Sequence, residues 1–124
     1  MKADIAKEDI MTYDYYKTLI GEYINLGRSE ERLSGEMGFP PEIKWDGDEL
    51  MKAIGIIGAA ADGNIKKLIE ISGLSTASFA RKFGLPYRSV QNWIAEERTP
   101  PEYLPILIGY ALATEIGNYY NGNI

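Results

Sequence analysis

The stretch STASFARKFGLPYRSVQNW, Ser75 to Trp93, decides the fold. It reads as two short helices joined by a tight turn. Ala80 lies four residues before Gly84, and Val90 lies six after it. The first helix has to approach the second closely, so Ala80 must be small. Gly84 closes that helix in the left-handed conformation that glycine adopts at least cost. Val90 and Trp93, spaced i, i+3, turn the apolar face of the second helix back onto the body. Ser75 is the expected N-cap of the first helix, with Leu74 and Phe79 at staple positions. Pro86 is expected at the first position of the second helix, where a missing N–H is harmless.

Upstream of this pair the pattern is helical throughout. Thr12 is an expected N-cap, followed by apolar residues at Tyr16, Leu19, Ile20, Tyr23 and Leu26 and a closing Gly27. Ser29 is expected to cap a short helix through Met37 that Gly38 ends. Phe39-Pro40-Pro41-Glu42-Ile43 then reads as extended, because each proline disfavours helix in its predecessor. Asp46 and Glu49 form an expected capping box, with Trp45 and Leu50 at the staple positions. That reading absorbs the carboxylates Asp46, Asp48 and Glu49, which would otherwise invite a metal or catalytic assignment. The helix they open is expected to run to about Ala61, with Gly55 and Gly58 marking close helix packing. Asn64 starts another, with Ile65, Leu68, Ile69 and Ser72 on one side and Gly73 at its end.

Downstream, Thr99 and Glu102 resemble a further capping box. Pro105 cannot donate to the carbonyl of Pro101, so the regular part of the last helix is expected to begin near Pro105. The terminal NYYNGNI is polar and expected to fray. No strand-like alternation, internal repeat or heptad run interrupts this pattern. The chain reads as all-α, a small helical bundle. It divides into an acidic helical extension over 1–62, a helix-turn-helix domain over 63–118 and a tail over 119–124.

Composition removes several function classes. With neither Cys nor His among its 124 residues, the chain cannot form a disulfide, a Cys/His zinc site, a Ser-His-Asp triad or a Cys nucleophile. No metal or cofactor is expected, and nothing points to an enzyme. The start, MKADIAKEDI, carries no apolar signal core. The apolar stretches Ala53–Ala61 and Tyr103–Ala113 are shorter than the roughly 20 residues a membrane span needs. The expectation is a soluble, cytoplasmic protein without a membrane partner.

The net charge of −5 is unevenly spread. Residues 1–62 carry 7 basic and 13 acidic side chains. Residues 63–92 hold Lys66, Lys67, Arg81, Lys82 and Arg88 against Glu70, a net of +4. Residues 93–124 return to −3. The positive island coincides with the helical pair.

From Ile65 to about Leu112, two fifths of its length, the chain resembles the helix-turn-helix domain of the Cro/repressor (XRE) family of bacterial and phage regulators. The residues that carry the resemblance are Gly73-Leu74-Ser75, Phe79-Ala80, Gly84-Leu85-Pro86, Arg88-Ser89-Val90-Gln91-Asn92-Trp93 and Arg98-Thr99-Pro100. It implies a sequence-specific regulator of double-stranded DNA, a repressor of its own operon or of phage genes. With Val90 buried, 100° per residue places Arg88, Gln91, Asn92 and Ala95 outward, with Pro86 and Tyr87 at the tip. Arg can grip O6 and N7 of guanine, and Asn or Gln can grip N6 and N7 of adenine. In the family the matching positions contact bases, so the resemblance implies Tyr87, Arg88, Gln91 and Asn92 as the base-contacting residues. Ser75, Thr76, Lys82 and Arg98 are the expected phosphate contacts, the first two through the helix N-terminus. Lys66 and Lys67 read equally well as phosphate contacts or as a solvated pair.

Two departures from the family pattern carry consequences. The family usually reads Trp-Glu-x-Gly where this chain reads Trp93-Ile94-Ala95-Glu96. Ile94 implies an apolar contact in place of an ion pair. Glu96 takes away an easy left-handed turn, and with Glu97 it puts acid where the loop nears phosphate. Few basic groups on an acidic body imply weak, salt-sensitive binding by a monomer, which a homodimer on a two-fold operator remedies. Tyr16, Tyr23, Tyr103, Tyr110, Tyr119 and Tyr120 are candidates for its interface, or ordinary core and rim aromatics. The alternative reading is a protein-binding module, such as an antitoxin or a phage-encoded inhibitor of a host nuclease. It would use the helix-turn-helix as scaffold and the acidic N-terminal half as its contact.

Overall fold

In the computed structural model of the protein, residues 12–35 and 47–116 are described in full, and 36 and 117–122 by their backbone. The described residues form seven helices and no strand: α1 Tyr13–Asn25, α2 Glu30–Glu36, α3 Gly47–Asp62, α4 Ile65–Ser72, α5 Thr76–Lys82, α6 Tyr87–Ile94 and α7 Tyr103–Gly122. Four N-termini are fixed by side-chain caps, three of them read as caps from the sequence and the fourth, Asn64, only as a helix start. The Thr12, Ser29 and Ser75 hydroxyls accept from the N–H groups of Tyr15, Arg32 and Ser78, each at 3.1 Å. The Asn64 side-chain carbonyl accepts from Lys67 N–H at 3.0 Å. Each cap satisfies a first-turn donor that has no partner inside its helix. The capping box at Asp46 and its Trp45 staple lie outside the described residues, as do Met37, Gly38 and the Phe39–Ile43 segment.

The central element is α3. Eight consecutive residues, Ala53 to Ala60, are buried, so this helix has no solvent face along its middle. It packs against α1, α2, α4 and α7, and its small residues allow that. A Cβ on Gly55 would come 3.2 Å from the Ile71 side chain, and one on Gly58 would come 3.2 Å from the Tyr23 ring. One continuous apolar cluster results, from Tyr16 and Leu19 in α1 through Ile56 and Ile57 to Phe79, Val90 and Leu112. The sequence division at 62/63 thus falls on the tight turn between α3 and α4, two helices that share this core. Within the first half, α1 and α3 supply much of its centre.

The aromatic residues follow the same plan. Tyr16 is fully buried; its ring lies 6.2 Å from that of Tyr13 and 5.3 Å from that of Tyr110. Tyr23 is buried as well, and its hydroxyl donates to Asp62 at 2.8 Å. These tyrosines build the core, whereas Tyr103 is 64% exposed. The Tyr119 and Tyr120 side chains lie outside the described residues.

The last helix begins earlier than its proline suggests. It starts at Tyr103, so Glu102, not Thr99, precedes its first residue. Pro105 is the third residue, where its missing N–H is one of the first-turn donors that has no intrahelical acceptor in any case. Leu104 N–H bonds to Pro101 O at 3.0 Å, which forms the lead-in turn. At its other end α7 continues to Gly122, past Tyr119. No helix among the described residues is long and apolar enough to cross a membrane.

Candidate nucleic-acid interface

The α5–α6 pair is assembled around Gly84. This residue is left-handed at φ +66°. Its N–H bonds to Arg81 O at 3.2 Å, and Leu85 N–H reaches back to Ala80 O at 2.8 Å. These two reverse bonds close α5 and satisfy carbonyls that the helix itself leaves open. Ala80, 2% exposed, lies at the bend, with Phe79 fully buried on one side and Val90 fully buried on the other. The Phe79 and Phe83 rings pack at 4.9 Å. α6 rests on α5 and α4. Pro86 is its N-cap rather than its first residue, because its ψ of 131° is extended. With no side chain accepting there, the first N–H groups of α6 remain open.

Tyr87, Arg88 and Gln91 are all exposed on α6. Arg88 and Gln91 face away from Val90, whereas Tyr87, three residues before Val90 and so on its side of the helix, is exposed because it stands in the first turn. Among the described residues, neither the Arg88 nor the Gln91 side chain is tied to a neighbour by a hydrogen bond or ion pair. Asn92 stands further round the helix and is half-buried. Its carbonyl accepts from Glu97 N–H at 2.9 Å and from Arg98 N–H at 3.4 Å, so its backbone holds the following loop in place.

The residues expected at phosphates are distributed over three places. Ser75 and Thr76 sit at the start of α5, where the Ser75 hydroxyl is engaged as the cap. Lys82 sits at its far end and forms a 2.7 Å ion pair with Glu115 of α7. That pair draws its charge toward the body. Arg98 is exposed in the α6–α7 loop, and its side chain has no partner among the described residues. It borders a cleft of about 450 Å³ whose other wall includes Asn64 and Lys66 at the start of α4. Lys66 and Lys67 do not behave as a pair. Lys67 bonds to Glu30 of α2 at 2.6 Å, whereas Lys66 is exposed beside Arg98. The Lys66–Arg98 grouping is not visible in sequence spacing, because 31 residues and two helices separate its members.

The loop after α6 differs from expectation in one respect. Glu96 is itself left-handed at φ +62°, with Glu96 N–H on Trp93 O at 3.1 Å and Glu97 N–H on Asn92 O at 2.9 Å. The turn at Glu96 therefore has the same two reverse bonds as the one at Gly84. It forms without glycine because both bonds compensate for the strained residue. Ile94 packs against the core, the apolar contact that its side chain implies. Glu96 and Glu97 are both exposed.

Compared with protein-family models, with curated proteins and with solved structures, the chain has no match.

Proposed function

We propose that this protein is a sequence-specific DNA-binding regulator of the Cro/repressor kind, which reads the major groove with α6. The observation that carries this reading is the division of that helix. Val90 is fully buried on one side, and Arg88 and Gln91 are exposed and unengaged on the other. A short helix held rigidly from behind and free in front is what insertion into a groove requires. Arg88 pairs with guanine, and Gln91 with adenine, while Tyr87 at the tip offers an apolar contact to thymine methyls. Asn92, half-buried, contributes less than its position in the sequence implies.

Ser75 and Thr76 at the start of α5, together with Arg98, hold the phosphates, and Lys82 does so only after leaving Glu115. With so few cations the protein acts as a homodimer on a two-fold site, in the cytoplasm, as a repressor. Selection of duplexes from a random pool tests this. Wild type should enrich a palindrome, and Arg88→Ala or Gln91→Ala should weaken binding to it by about tenfold or more. No enrichment at low salt from a folded protein would sink the reading. It would favour a protein-binding module, for which the exposed Glu96 and Glu97 beside α6 are the supporting feature.

A further inference from the structure

A groove of about 380 Å³ opens between α3, the α4–α5 turn and α7, away from the reading edge of α6. Its floor is formed by Ile56, Ile71, Leu74, Leu112 and Ile116. Ile56, Leu112 and Ile116 also belong to the core, whereas Ile71 and Leu74 are only half-buried. These two therefore present branched aliphatic surface to the groove. Among the described residues, no aromatic ring lines it. Its size falls in the range of small-molecule sites, which pair an apolar lining with a few polar groups.

The rim supplies the polar groups, and they are not equivalent. Lys82 and Glu115 neutralise each other across 2.7 Å. Lys52 of α3 is exposed, and among the described residues it forms no hydrogen bond or ion pair. Ser72 is internally satisfied: its hydroxyl donates to Ile69 O at 2.6 Å and accepts from Leu74 N–H at 3.1 Å. Glu49 of α3 also lines the rim and has a partner of its own, so among the described residues the groove offers one uncommitted cation, Lys52, above an aliphatic floor.

From this arrangement we infer that the groove binds a small aliphatic monocarboxylate, with its chain on Ile71, Leu74 and Leu112 and its carboxylate on the Lys52 ammonium. A dianionic head such as a phosphate monoester finds no second free cation among the described lining residues, because Lys82 is already matched. A neutral chain would leave Lys52 unused. The site is separate from α6 and stands or falls independently of DNA binding. It does, however, include Lys82, the last residue of α5, so an occupant touches the helical pair from behind.

The test is methyl NMR on the full-length protein, with Ile and Leu methyls labelled, during addition of octanoate and separately of octanamide. Octanoate should give saturable shifts at Ile56, Ile71, Leu74, Leu112 and Ile116. Octanamide on the wild type, and octanoate on Lys52→Met, should each bind about threefold to fivefold more weakly, the scale of one exposed charge pair. Lys52 is on the surface, so its variant keeps the fold, which its unliganded spectrum verifies. Absence of saturable shifts at these methyls, or saturation at another site, overturns the proposal. Equal binding of octanoate and octanamide, or no change in Lys52→Met, also overturns it.

Discussion

The Tyr16 hydroxyl donates to the carbonyl of Ile106 at 2.8 Å, three residues before a point on α7 where α1 and α3 leave no room for a side chain. That point is Gly109, where an added Cβ would collide with the Tyr16 hydroxyl and stand 2.8 Å from Ala60 Cβ. Gly109→Ala improves intrinsic helix propensity by roughly 1 kcal/mol. The collision outweighs that gain, because neither the buried ring nor the Ala60 methyl can swing aside. A net loss of about 2 kcal/mol is expected in urea denaturation. Tyr16→Phe alone should cost about 1 kcal/mol through its lost hydrogen bond. The double variant should be less destabilised than the sum, since removing the hydroxyl relieves part of the clash.

Glu96 stands in the left-handed region at φ +62°, which costs a non-glycine residue roughly 1 kcal/mol. Glu96→Gly should therefore raise stability by about that amount, seen as a higher denaturation midpoint with an unchanged slope. Glu96→Ala retains the strained backbone and should leave the midpoint nearly unmoved. A gain in both variants would mean that removal of the acid, not of the strain, is responsible.

The two sides of α6 should separate under mutation. Val90→Ala opens a cavity behind the helix and should cost about 2 kcal/mol. Arg88→Ala and Gln91→Ala touch nothing in the fold, so their midpoints should stay within about 0.5 kcal/mol of wild type. Their effect should appear only in binding to the selected duplex. A destabilised Arg88→Ala would show that the side chain serves the fold.

Alkaline pH should unfold the protein through its buried phenols. Burial, followed by the hydrogen bond and charge of Asp62 and the charge of Glu30, pushes the Tyr23 hydroxyl from 10.0 up to about 12, against a smaller lowering by Arg28. Burial, and then its neighbour Tyr13, raises Tyr16 further. The folded state holds these protons more tightly than the unfolded one. The corresponding stability is whole below pH 10 and declines as pH rises from 10 toward 12. Tyrosinate absorbance followed against circular dichroism checks this. Tyr23→Phe should flatten the decline.

Local chemistry was readable from the sequence, and tertiary partnership was not. Thr12, Ser29, Asn64 and Ser75 act as caps because each bond spans three residues, and Gly84 turns because its φ depends only on its neighbours. α7 starts earlier than Pro105 suggests, because that proline falls in the first turn, where no bond exists to lose. The centrality of α3 was hidden because its glycines and alanines look like weak helix formers until their neighbours are known. At the candidate interface, the exposure of Arg88 and Gln91 follows from helical period and that of Tyr87 from its place at the tip, whereas Asn92, outward by the same period, is half-buried. The capture of Lys82 by Glu115, 33 residues away, and the placing of Lys66 and Arg98 on one cleft follow from how the helices pack.

The burial of α3 on every side has a consequence for how this protein can be divided. A fragment beginning at Asn64 would carry the helical pair intact. It would also expose Ile65, Leu68, Ile108 and Leu112 to water, all buried in the whole chain. The pair is thus not a detachable cassette. Whatever the pair contacts, the helices behind it keep their burial only while α3 stays in place.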